Sequence, residues 1–235
     1  MCGRYTLTSP LESVQELFDF PERPNLEPRS NIAPTQEVPA IRHGQDGAQH
    51  LVMLRWGLIP AWAKDAKIAS RLINARSETV GEKPSFRQAF AKRRCLVPAD
   101  GYYEWRTSNG DKQPFRVVSR DGGIFAFAGL WEQWSDPACN NLVETCSLLT
   151  TQANRELAAI HHRMPVILPP SSYSSWLDPA IEGGHLRALL QPMPLGALRF
   201  YPVSDRVNKV VNQGLDLLDE INEGALDRPV QGQLF

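Results

Sequence analysis

The sequence predicts an α+β protein: a mainly antiparallel β-sheet or barrel core with peripheral helices. Three observations carry that prediction. Six segments are rich in β-branched and aromatic residues, Gly, Asn and Asp turns separate several of them, and the apolar spacing typical of helices is confined to short stretches. Residues 9–18, SPLESVQELF, predict a helix with Ser9 as its cap, Pro10 in the first position and Glu12 completing a capping box. Leu11, Val14, Leu17 and Phe18 fall on one face of it. Extended structure is predicted for 38–43, 49–58, 93–105, 114–120, 124–134 and 143–152, with turns at 44–47, 108–113 and 121–123. Short helices are predicted over 84–93, 154–161, 171–177 and 184–191. Nineteen prolines spread through the chain fit many short elements joined by ordered turns.

The 235 residues are 42% hydrophobic and 22% charged, enough for one substantial core. No apolar run approaches the roughly 18 residues of a membrane span, and no basic-then-apolar leader opens the chain. A cytoplasmic protein without membrane partners is expected, associated with the nucleoid at damaged replication forks if its source is bacterial. Cys2, Cys95, Cys139 and Cys146 form no C-x-x-C pair and no zinc-like cluster, so no metal, cofactor or disulfide framework is expected. The net charge of -1 divides unevenly: residues 1–120 hold 18 basic against 13 acidic groups (+5), and the remainder 7 against 13 (-6). Residues 55–94 carry ten basic groups against Asp65, Glu78 and Glu82, interleaved with Trp56, Trp62 and Phe86. That pattern fits an anionic, base-stacking polymer, and equally a solvated face.

Cys2 follows the initiator methionine, which aminopeptidases remove when the second residue is small. The mature chain would then begin with a 1,2-aminothiol, its amine titrating near ~8 and its thiol near ~8.5 when unperturbed. Glu104 lies between Tyr103 and Trp105 at the end of a predicted strand. If buried there it would hold its proton to unusually high pH; the commoner fate of a strand Glu is to face solvent. Asn74 and Arg76, two residues apart, share a face if extended, or else mark a turn with a surface Arg. His161, His162 and Arg163 precede the Pro-bounded apolar run at 165–168, a weak signal taken alone.

MCGRY at 1–5, NIAPTQ at 31–36, RWGLIPAWA at 55–63, NARSET at 74–79, RRCLVPADGYYEW at 93–105 and HHRMPVIL at 161–168, in that order, resemble the SRAP family, named for SOS-response-associated peptidase. The resemblance implies one SRAP-like domain over 1–222 that senses abasic sites in single-stranded DNA as part of DNA-damage repair. It implies a covalent thiazolidine crosslink between the mature Cys2 and the ring-opened aldehyde. Release of Met1 by the protein itself and lyase chemistry through the imine would account for its hydrolase-type labels. By the same resemblance Cys2 is the nucleophile, Glu104 the proton shuttle, His161 the proton donor to the sugar oxygen and Asn74 the sugar-holding amide, with His162 at a variable position. Gly3, Arg4, Arg76, Trp105 and Arg163 would contact the flanking DNA.

A rival reading is an N-terminal-nucleophile glutamine amidohydrolase using Cys2, since such enzymes also begin Met-Cys-Gly. Arg4 departs from their usual continuation. The tail at 223–235 ends in QGQLF, and Gln231, Leu234 and Phe235 resemble a peptide that docks on the replication sliding clamp.

Overall fold

The computed structural model describes residues 2–108 and 110–222, so the predicted clamp-binding tail with Gln231, Leu234 and Phe235 lies outside the described residues. The strands are β1 (Tyr5–Leu7), β2 (Arg29–Ile32), β3 (Glu37–His43), β4 (Gln49–Trp56), β5 (Asn74–Arg76), β6 (Arg94–Ala99), β7 (Gly101–Ser108), β8 (Asp111–Ser119), β9 (Phe125–Ser135), β10 (Leu142–Gln152), β11 (Arg163–Pro165), β12 (Ile167–Leu168) and β13 (Leu198–Pro202). They form two sheets. In the larger, β10 pairs with β4, β4 with β3, β3 with β6, β6 with β9, and β9 again with β10, which closes a barrel. Closure is completed where β9 and β10 separate: Val166 accepts from Ala128 N and donates to Leu149 O, both at 2.9 Å, so the 163–168 segment fills the gap. The pairings of β10 with β4 and β5 are parallel, against an otherwise antiparallel arrangement.

The smaller sheet runs β13-β8-β7-β1-β2 and is antiparallel throughout. Its inner face packs on the barrel through aromatic rings. Tyr5 of β1 meets Trp56 and Phe127 edge-on at 5.5 and 5.7 Å, and Tyr102 of β7 meets Phe127 at 6.0 Å. Pairs of this kind contribute about 0.5–1.5 kcal/mol each beyond burial. The amino-terminal strand is therefore a central strand anchored in the core, although the sequence carries no strong signal for it.

The 93–105 segment predicted as one strand is two, β6 in the barrel and β7 in the smaller sheet, bent at Asp100. A carboxylate at the corner organises the bend: Asp100 accepts from the Thr6, Thr8 and Ser9 hydroxyls and from the Thr8 and Ser9 amides at 2.5–3.1 Å. Gly101 follows because a Cβ there would lie 2.9 Å from both Arg116 Nε and Thr6 Oγ1. The helix Leu11–Phe18 forms as predicted, but Ser9 is spent on Asp100 and makes no cap, leaving Pro10 as the cap residue and the capping box unformed. Helices also form at Arg87–Lys92, Tyr173–Leu177 and Gly184–Ala188, whereas 154–161 makes only the 3₁₀ turn Leu157–Ala159 before the chain turns into β11. No helix among the described residues is long and apolar enough to cross a membrane.

Candidate functional site

The site lies where the start of the chain crosses from one sheet to the other. Tyr5 pairs with Tyr102, and Tyr103 N donates to Arg4 O at 2.9 Å. Continued by one step, this register sets Gly3 beside Glu104. From the barrel, Asn74 at the head of β5 donates its Nδ2 to Cys2 O at 2.8 Å, tying the first residues to the larger sheet. The Asn74 Oδ1 is buried and has no hydrogen-bond partner among the described residues, so an acceptor is held ready at this point.

Burial dominates the electrostatics. Glu104 is 5% exposed, and burial lifts its carboxyl to about 7 against the opposing pull of nearby positive charge and of the Trp105 amide. Cys2 is fully buried. Burial, reinforced by the Glu104 charge, pushes its thiol far above the ordinary range and holds it neutral. The thiol sits 3.9 Å from Arg4 O. Tyr102, also buried, is pushed up chiefly by burial and then by Cys2 and Glu104, which places all three in one electrostatic neighbourhood.

His161 arrives from the far edge of β10. β5 and β11 both pair with that strand, Thr150 standing opposite Arg76 on one side and Pro165 on the other. His161 Nδ1 lies 3.0 Å from the Arg163 amide and 3.1 Å from the Arg163 carbonyl oxygen, so the backbone of Arg163 fixes the ring's orientation. Partial burial, followed by nearby positive charges, lowers the His161 pKa, so the ring is neutral through most of the physiological range. The exposed His162 ring lies tilted against it at 4.3 Å, and its pKa is lowered chiefly by His161. Cys2, Asn74, Glu104 and the histidines therefore converge, though they derive from four separate segments.

The flanking residues divide. Arg76 is exposed at the rim, and Gly3 is half-buried beside Glu104. Trp105 is half-buried, its indole N–H donating to Asn208 Oδ1 at 2.7 Å. Arg4 is an internal tie, donating to Asn31 Oδ1, Val207 O and Asn208 O. Arg163 is buried, forked onto Glu78 at 2.5 and 3.0 Å and donating to Thr150 O at 2.6 Å. Both guanidiniums are thus occupied in holding the walls of the site. The basic run behaves the same way at its end: Arg94 is buried against five backbone carbonyls, Arg93 pairs with Glu132 and Lys92 with Glu182. Trp56 and Phe86 are core residues. Trp62 is 58% exposed and shares an open groove with Lys64, Lys67 and Arg71.

Sequence reasoning missed two supporting residues. Asn31 is fully buried and its amide donates to the carbonyls of Val207, Lys209 and Asn212 at 3.0–3.1 Å, fixing the loop that meets Arg4 and Trp105. Glu78 anchors Arg163. Both lie inside quoted motifs, NIAPTQ and NARSET, which was the available signal. No group of three His, Cys, Asp or Glu side chains among the described residues is arranged to hold a metal ion.

Comparison with known proteins gives a consistent picture. Residues 1–210 match the family described as SOS response associated peptidase (SRAP). The chain is 42% identical over 225 residues to the abasic site processing protein YoqW of Bacillus subtilis, covering 93% of this chain and 99% of that protein. It is 29% identical to the abasic site processing protein YedK of Escherichia coli, covering 94% of this chain and all of YedK. A crystal structure of a protein from Bacteroides thetaiotaomicron superposes with a TM-score of 0.82 at 28% identity, covering 91% of this chain and 100% of that one.

Proposed function

Because the chain belongs to the SOS response associated peptidase family, we propose that it processes abasic sites in single-stranded DNA, forming a covalent crosslink through the mature amino terminus at Cys2. The observation that carries this reading is the convergence of Cys2, Asn74 and a buried Glu104 that titrates near neutrality. With Met1 removed, the Cys2 amine attacks C1′ of the ring-opened sugar. His161 protonates the sugar oxygen as the ring opens; the carbinolamine then loses its hydroxyl as water, Glu104 giving a proton to the departing oxygen and taking one back from the nitrogen to leave an imine. The neutral thiol then adds across the imine: a C–S bond forms at C1′, and the thiol proton passes through Glu104 to the nitrogen. The product is a five-membered thiazolidine, and the net loss is one water.

The environment suits these steps. A carboxyl near 7 can accept and return a proton at cellular pH. A thiol held neutral can add to the imine with its proton passing on to the nitrogen, and the match to the SRAP family and to abasic site processing proteins favours the crosslinking reading over the rival. The free Asn74 Oδ1 is positioned to accept from a sugar hydroxyl. Arg76 at the rim, and exposed Trp62 among Lys64, Lys67 and Arg71, offer phosphate and stacking contacts to the flanking strand. Gly3 and Trp105 line the approach to Cys2, while Arg4 and Arg163 serve it from within.

Met1 release by the same groups and β-elimination from the imine are accessory activities of this proposal. So is docking of the 223–235 tail on a sliding clamp, which loss of the last five residues should abolish in a solution binding assay. The decisive experiment is the intact mass of the protein before and after incubation with a single-stranded oligonucleotide bearing one abasic site, beside Cys2→Ala. A denaturation-resistant adduct equal to Met1-less protein plus DNA minus one water, absent from the variant, is expected. No adduct from protein shown to start at Cys2, together with glutamine hydrolysis, would replace this reading with the amidohydrolase.

A further inference from the structure

A second concavity of about 500 Å³, within the range of small-ligand sites, opens beside the crosslinking centre. Its position is set by two strands that also build that centre. β5 carries Asn74 to one, and Ser77, just past its end and roughly 10 Å further on, reaches the other. At the end of β10, Gln152 lines the cleft, while the next residue, Ala153, donates its amide to His162 O at 3.0 Å. The far wall comes from Arg187 and Gln191, and buried Leu190 contributes apolar surface.

The lining selects among the parts of a nucleotide. Glu78, on the wall, is paired with Arg163, and Glu82 lies 3.9 Å from Arg187, so the surroundings balance close to zero charge. A phosphate gains little from such a place. A nucleobase fits it: apolar surface meets the ring face, and two carboxamides, the hydroxyls of Ser77 and Thr151 and a guanidinium are groups that bond base edges.

We propose that this cleft receives the nucleobase adjacent to the abasic residue, turned out of the strand so that its sugar-phosphate stays on the Arg76 rim. The inference rests on the crosslinking function proposed above and extends it to recognition of neighbouring sequence. Unstacking beside a missing base is cheap, because one stacking partner is already absent, and a seated base would hold the aldehyde in register with Cys2.

The test measures initial crosslinking rates of the full chain at limiting protein with oligonucleotides bearing one abasic site. Either neighbouring nucleotide, in turn, is replaced by a baseless tetrahydrofuran spacer. The expected result is a rate about fivefold or more lower when the base is removed on one side only. A Gln152→Ala/Gln191→Ala double variant should crosslink the base-bearing strand only as fast as the spacer strand. A purely structural lesion would instead slow both strands alike and preserve their ratio. Rates within about twofold for spacers on both sides, or a double variant that keeps the full ratio, would overturn the cleft assignment while crosslinking persists. Absence of crosslinking with every oligonucleotide would overturn the function and the cleft together.

Discussion

Asp100 and Glu104 are buried carboxylates four residues apart, at and just beyond the bend between the two sheets, and they have opposite fates. Asp100 is ringed by Thr6, Thr8 and Ser9, with Arg116 Nη2 at 3.6 Å, and its charge is part of the architecture. Around Glu104 burial outweighs the donors present, and its proton comes off only near 7. A buried acid furnished with donors holds a corner, while one whose burial outweighs its donors keeps its proton to near neutrality, as a proton carrier would need.

The contrast can be broken by exchanging the lesions. Glu104→Gln, which keeps the shape and removes the proton carrier, should lower the crosslinking rate by roughly 10²–10⁴-fold, read by quenched-flow and denaturing gels. Asp100→Asn should instead cost about 2–4 kcal/mol of unfolding free energy in urea, leaving the Arg116 charge poorly compensated, with the folded fraction still crosslinking. If the kinetic loss falls on Asp100 and the stability loss on Glu104, the division is reversed.

Titration sharpens it further. Because burial raises the Glu104 pKa in the fold, the stability tied to its protonated form is full below its unfolded value near ~4.5. It is lost as pH rises through about 7. Glu104→Gln should therefore gain on the wild type between pH 5 and 8 by on the order of 2–3 kcal/mol, measured as the difference in urea midpoints across that range. The smallest effect belongs to the rim: Trp105→Phe removes the indole bond to Asn208 and should cost about 1 kcal/mol, seen as a lower thermal midpoint.

These contrasts also mark how far the sequence was legible. The helix Leu11–Phe18 follows from apolar spacing, and the strands through 38–43, 49–56 and 125–134 from runs of β-branched and aromatic residues, several of them bounded by turn residues, because long elements carry their own local signal. β1, β5 and β11 are three residues each and exist through pairing with distant strands, so no local pattern announces them. Cys2, Asn74, Glu104 and His161 stood out by position and neighbours and took roles only from motif resemblance; a strand glutamate is more commonly a surface residue, and only the fold shows Glu104 buried. Arg4, Arg163 and Arg94 show the reverse limit. A guanidinium looks the same in a sequence whether it faces a phosphate or five carbonyls, and only the fold tells which.

The span of the Arg4 contacts carries a consequence for synthesis. Arg4 bonds to Val207 and Asn208, more than 200 positions along the chain, and Asn31 to the same loop. On the proposed crosslinking function, the reactive end leaves the ribosome first, and the last tie of its enclosure is translated near the close of the described chain. Through that interval an aminothiol at Cys2 would have no finished site around it, so on that reading its competence would be timed by completion of translation rather than by exposure of Cys2.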